Sequence, residues 1–148
     1  MEKRSLFDDA AYAEIVARLD KLSADSTPKW GKMTIGQMLA HSAAVQEIGN
    51  GKDLEGTNFI ARLFKGMIKK MLLSDKPYPH NSRTHPQFVV TTPADFEREK
   101  SRLVAAMESI RANGARADGH PLFGPLTDDE WGWMYFKHLN HHLEQFGV

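Results

Sequence analysis

The chain holds seven histidines, and three of them, His138, His141 and His142, fall within five residues of one another near the carboxyl end. Advancing about 100° per residue along a helix puts Trp131, Met134, Tyr135, His138, Leu139, His142, Gln145 and Phe146 on one side. Lys137, Asn140 and Glu144 fall on the other, and His141 lies at the edge of the apolar arc. His138 and His142 therefore stack one turn apart on the inward face, where their rings can converge on one point. A buried imidazole needs a partner for each ring nitrogen, and the helix has already committed its own amides. A bound metal ion answers that need, and so does a set of hydrogen bonds to neighbouring elements. Upstream, the stripe Met38, His41, Val45 and Ile48 carries a histidine at core spacing, which offers a third nitrogen. Three neutral imidazoles on one side of a divalent ion leave positions for water or substrate, the pattern of a catalytic rather than a structural site.

The rest of the composition narrows the chemistry. With no cysteine among 148 residues there is no disulfide, thiolate zinc site, iron–sulfur cluster or cysteine nucleophile, so any metal is held by His, Asp or Glu. Imidazole ligands suit zinc, nickel, iron or copper, and zinc or nickel is the first expectation. His-Glu-x-x-His is absent, which removes the usual base of a zinc protease. Gln145 follows His142 within a turn and can orient it or a substrate. Glu99, His120 and Tyr135 are the proton-carrier candidates. The 19 Lys and Arg balance the 19 Asp and Glu, so no global field attracts nucleic acid or an anionic membrane. The amino end turns acidic at Asp8-Asp9, and no apolar run is long enough to span a bilayer. These features predict a single cytoplasmic domain over 1–148 acting on a small molecule, without nucleic acid or membrane.

Helical signals position the candidate residues. Residues 6–23 carry Ala10, Ile15, Leu19 and Leu22 on one stripe. Thr34-x-x-Gln37 and Thr127-x-x-Glu130 are capping boxes that open helices running to about Gly49 and Phe146. Residues 58–73 set Phe59, Ile60, Leu63, Phe64, Met67, Ile68, Met71 and Leu72 against Arg62, Lys65, Lys69 and Lys70, which predicts an amphipathic helix with a buried apolar face and a solvated basic one. Pro77, Pro79, Pro86 and Pro93 keep 74–93 out of helix; Phe88-Val-Val-Thr hints at extended chain, and His80 and His85 are loop residues fit to line an entrance. Thr92-Pro93-Ala-Asp95 reads as the start of a helix ending at Asn113-Gly114, with Phe96, Glu99, Leu103, Met107 and Ile110 on its stripe. The predicted fold is all-α, a four-helix bundle with a long crossover connection and a short extra helix. Trp30, Trp131 and Trp133 are read mainly as packing groups.

Trp30 to Thr34 with Gln37, Leu39-Ala40-His41, and His138-x-x-x-His142-x-x-Gln145 resemble the two signature segments of the DinB/YfiT-like superfamily. His120-Pro-x-Phe-Gly124 and Lys137-His-Leu-Asn-His-His-Leu-Glu-Gln-Phe-Gly147 are similar to an uncharacterised branch of it, a domain of unknown function. The resemblance covers essentially the whole chain. It implies a four-helix bundle, commonly a homodimer, with a divalent metal on His41, His138 and His142, and it includes transferases that use a low-molecular-weight thiol.

Three functions follow as expectations. The first is a metal-dependent transferase in which the ion activates a thiol or water toward a small electrophile. The second is a non-catalytic metal-binding or stress-related bundle protein acting through protein partners, which requires a fully enclosed ion. The third is a partner-binding module using the Lys-rich face of 58–73.

Overall fold

The computed structural model describes residues 1–148. It is all-helical: α1 (Asp9–Leu19), α2 (Ile35–Gly49), α3 (Phe59–Leu63), α4 (Lys65–Leu73), α5 (Phe96–Asn113) and α6 (Asp128–Gln145), with a 3-10 turn at Pro86–Phe88 and no strand. Both capping boxes form. The Thr34 hydroxyl accepts from the Gln37 amide while the Gln37 side chain accepts from the Thr34 amide, and Thr127 and Glu130 make the same reciprocal pair. These caps set where α2 and α6 begin, and hence the phase that turns His41 and His138 inward.

The core is formed where α2 lies along α5 and where α1, α2 and α4 pack on α6. Leu39, Ile48, Leu103, Met107, Ile110, Trp131 and Tyr135 are essentially sealed from water in one apolar cluster. On α1 the buried stripe is Ala11, Ile15 and Leu19; Ala10 is exposed, so the stripe starts one residue later than expected.

Four further expectations are corrected. Helix α5 is capped by Asp95, whose carboxylate accepts from the Arg98 amide, rather than by Thr92. Residues 92–94 instead dock against α2. Gln37 Nε2 donates to the Thr92 carbonyl, and a Cβ on Gly36 would fall 2.0 Å from the Ala94 carbonyl oxygen, so only glycine permits this approach. Phe88-Val-Val-Thr finds no strand partner; its first residue closes the 3-10 turn.

The helix expected over 58–73 breaks at Phe64 into α3 and α4, and its apolar face is not buried. Phe59, Ile60, Leu63, Phe64, Met67 and Met71 are all exposed. Lys137 and Asn140, expected at the solvated side of α6, are buried. Lys137 Nζ donates to the carbonyls of Met71, Leu72 and Ser74 at 3.1, 3.2 and 2.9 Å, so the ammonium closes the C-terminus of α4, where unpaired carbonyls and the helix dipole favour a cation. It also lies 4.2 Å from the centre of the Tyr78 ring. Trp133 Nε1 donates to the Leu73 and Ser74 carbonyls beside it. Asn140 accepts from Arg18 at 2.7 Å, and Arg18 also holds the Val148 carbonyl.

Lys137 is therefore the bolt that fastens α4 to α6. Lys137→Met keeps the apolar stem but removes the donors. It is expected to lower stability by about 1–3 kcal/mol in urea titration and to speed amide exchange selectively within 65–73. A stability change within error, with unaltered exchange there, would show that α4 is held by other contacts.

Candidate metal centre

Helices α2 and α6 bring His41, His138 and His142 together, with one ligand-capable nitrogen from each lying within 4.8 Å of the others. The Nε2 atoms of His41 and His138 are 3.0 Å apart. Two nitrogens each about 2.0–2.1 Å from one ion stand roughly 2.8–3.4 Å apart at right-angle to tetrahedral geometry, so this pair stands at ligand spacing, and without an ion the same contact is a hydrogen bond that holds one proton between the two rings.

The outer nitrogens decide which atoms face inward. His41 Nδ1–H donates to the Phe88 carbonyl at 2.8 Å, and His142 Nδ1–H donates to Gln145 Oε1 at 2.8 Å. Gln145 is itself oriented, because its Nε2 donates to the Trp30 carbonyl at 2.8 Å and so turns its oxygen toward His142. Each ring is thereby set in the tautomer that leaves Nε2 unprotonated and free to ligate. The loop supplying the Trp30 carbonyl is pinned by the Lys29 amide, which donates to the Gln145 carbonyl at 2.7 Å. Gly31 follows with a φ of +83°, and a Cβ there would meet Gln145 Nε2 at 2.7 Å, so glycine is required for the loop to approach this closely. His138 Nδ1 is buried without any hydrogen-bond partner.

Burial drives all three imidazoles toward the neutral form that a ligand must have: His142 is pushed down to about 3, His138 well below the ordinary histidine range, and His41 in the same direction.

The centre is open on one side. A cleft of about 540 Å³ is lined by all three histidines together with Trp30, Tyr78, His141 and Gln145. No carboxylate lines it, while Lys32 and Arg83 do. His141, expected at the edge of the buried arc, is half-buried in this cleft with its ring near Trp30 and Tyr78. Sequence reasoning missed it because the cleft sits at the rim of the apolar arc, where a helical projection does not separate surface from pocket. His80 stacks on Trp30 with ring centres 3.8 Å apart.

The other expected site residues are placed as follows. Gln145 is in contact with a candidate ligand. Glu99 is not among the residues of the cleft. It is buried beside Arg98 and Arg102, and Arg102 bridges it to Glu47. Tyr135 is buried outside the cleft, with its hydroxyl donating to the Gln46 carbonyl and accepting from the Gly49 amide. His120 accepts the Leu122 and Phe123 amides at Nδ1, which leaves the proton on Nε2 and makes that atom a donor rather than a base. His85 caps the start of the 3-10 turn, its Nδ1 accepting from the Gln87 amide, and its Nε2 pairs with the Thr57 hydroxyl.

The family model described as "Protein of unknown function (DUF1569)" matches residues 1–147. The chain belongs to this family. No curated protein and no solved structure matches it. The DUF1569 match spans α1 to α6 and so includes every residue of the centre.

His120 generates a prediction on pH. Burial lowers it from the ordinary histidine value of 6.5 to about 4 in the folded chain. Between those values the unfolded state binds the proton and the folded state does not, so stability falls as pH drops through that window. His120→Asn should flatten the decline between pH 6.5 and 4 by on the order of 3 kcal/mol, read from urea midpoints at successive pH. An unchanged pH slope would mean that His120 titrates alike in both states.

Proposed function

We propose that this DUF1569 chain is a cytoplasmic, homodimeric DinB-like four-helix bundle. In this reading α1, α2, α5 and α6 form the bundle, and the segment carrying α3 and α4 is its crossover. His41, His138 and His142 hold a divalent ion, zinc or nickel, and the protein acts as a metal-dependent transferase on a small electrophile, with a low-molecular-weight thiol or water as the attacking group.

The observation that carries this reading is the pair of hydrogen bonds to the outer nitrogens. Phe88 and Gln145 hold the His41 and His142 protons at Nδ1, and metal-ligating histidines are held in this way. The ion's contribution, when bound, is to lower the pKa of a thiol or water so that it attacks near neutral pH. The chain's own groups do the rest. His41, His138 and His142 supply neutral donors. Gln145 keeps His142 oriented. Lys32 and Arg83, in a cleft without carboxylates, favour anionic groups on a thiol or substrate. His141 is the nitrogen base in the cleft that is not assigned as a ligand, and it is placed to hydrogen-bond the reacting molecule. Glu99, His120 and Tyr135 do not line the cleft and are given no part in this chemistry.

The cleft favours this reading over a non-catalytic metal-binding bundle, because an ion that only braces the helices needs no open face and no space of about 540 Å³ beside it.

Elemental analysis of untagged protein re-equilibrated with zinc or nickel tests the assignment. The wild type should retain close to one ion per chain, and His142→Ala should retain almost none. Gln145→Leu should fold but bind about 10–100-fold more weakly, the usual cost of losing a group that orients a ligating histidine. If wild type and His142→Ala carry equal metal, these imidazoles do not form the site.

A further inference from the structure

Part of the exposed apolar face of α3 and α4 lines a second cavity, while Phe59 and Leu63 lie outside it. A chamber of about 500 Å³ lies beneath these helices, and Ile60, Phe64, Met67, Ile68 and Met71 form its wall on that side. Val45 and Ile48 of α2, Phe88 of the 3-10 turn, and Met134 of α6 close the other sides. Sixteen of its 23 lining residues are hydrophobic, and none is acidic. That volume and lining suit a small organic ligand bound by burial of apolar surface. Three methionines in the wall, Met67, Met71 and Met134, provide flexible and polarizable contacts that fit varied apolar shapes.

The chamber adjoins the histidine centre. His138, Phe88, Tyr78, Met71 and Leu72 line both the chamber and the cleft, so the two cavities share a wall that contains one of the three candidate ligands. The two spaces differ in character: the cleft carries Lys32, His141 and Gln145, Arg83 lies at the shared wall, and the chamber is dominated by aliphatic, thioether and aromatic groups.

We infer that the chamber beneath α3 and α4 is the tail pocket of an amphiphilic small-molecule substrate whose polar, metal-ligating head lies at the three-histidine centre. The inference deepens the metal-centre reading and rests on it for the position of the head group. The tail is uncharged, since no lining group offers a cation to an anionic tail except Arg83 at the shared wall, and no acid is present to receive a cationic one. The side chains of α3 and α4 that line the chamber are then one wall of a ligand site.

Alkyl hydroxamates serve as the probe, because their head ligates zinc and their tail length can be varied from acetyl to octanoyl. Calorimetric titration of zinc-loaded protein should show affinity rising about fourfold per added methylene until the chamber is filled. Octanohydroxamate should displace the neutral fluorophore N-phenyl-1-naphthylamine, and acetohydroxamate should not. Ile68→Trp fills the chamber and should abolish the chain-length dependence while zinc and acetohydroxamate still bind. Phe64→Glu, at a position about half exposed, should weaken the octanoyl compound at least tenfold without threatening the fold. His41→Ala should lower affinity for every member of the series by a similar factor.

Equal affinity for acetyl and octanoyl compounds on zinc-loaded protein overturns the tail pocket while leaving the metal centre standing. Chain-length dependence that survives both chamber variants also overturns it. Affinity that is the same with and without zinc for every member of the series, and unchanged by His41→Ala, overturns instead the placement of the head at the three histidines.

Discussion

Two hydrogen bonds to the outer nitrogens of buried imidazoles organise the centre of this protein: His41 to the Phe88 carbonyl and His142 to the Gln145 side chain. Burying imidazoles side by side is costly unless their polar atoms are satisfied. These bonds satisfy one nitrogen of each ring and leave the other facing inward. Much of the surrounding structure serves the two acceptors. The 3-10 turn exists where Phe88 must present its carbonyl, the Trp30 loop pins Gln145, and Gly31 lets that loop come close enough to do so.

The same constraint gives the molecule its two unlike cavities. Because the inward nitrogens converge at a rim rather than deep in the α2–α5 interface, the centre opens on a polar cleft on one side and borders an apolar chamber on the other. Helix α4, bolted to α6 by Lys137, forms part of the chamber's wall. Fastening α4 through its C-terminal carbonyls leaves its side chains available to line a cavity, which explains how an amphipathic segment can be ordered without burying its apolar stripe in the core.

Much of this was legible in the sequence. The capping boxes at Thr34 and Thr127 fixed the starts of α2 and α6, and helical periodicity then placed His41, His138 and His142 on buried faces. What was not legible depends on partners distant in the chain. The acceptor for His41 arrives from a residue 47 positions away. Lys137 reads as a solvent-facing charge until the carbonyls of α4 are placed beside it. The N-terminus of α5 shifts from Thr92 to Asp95 because residues 92–94 dock on Gly36 and Gln37. The apolar period of 58–73 reveals neither the break at Phe64 nor whether the face packs on a helix, lines a cavity or stays exposed.

The central claim is that the folded chain sets His41 and His142 as neutral imidazoles with unprotonated, inward-facing Nε2 atoms before any ion binds. Long-range proton–nitrogen NMR of metal-free, nitrogen-15-labelled protein at neutral pH reads each ring's tautomer directly. His41 and His142 should both appear neutral and protonated at Nδ1, and adding zinc should shift their Nε2 resonances out of the unprotonated range. Protonation at Nε2 in either ring, or Nε2 signals that do not respond to zinc, would contradict the account.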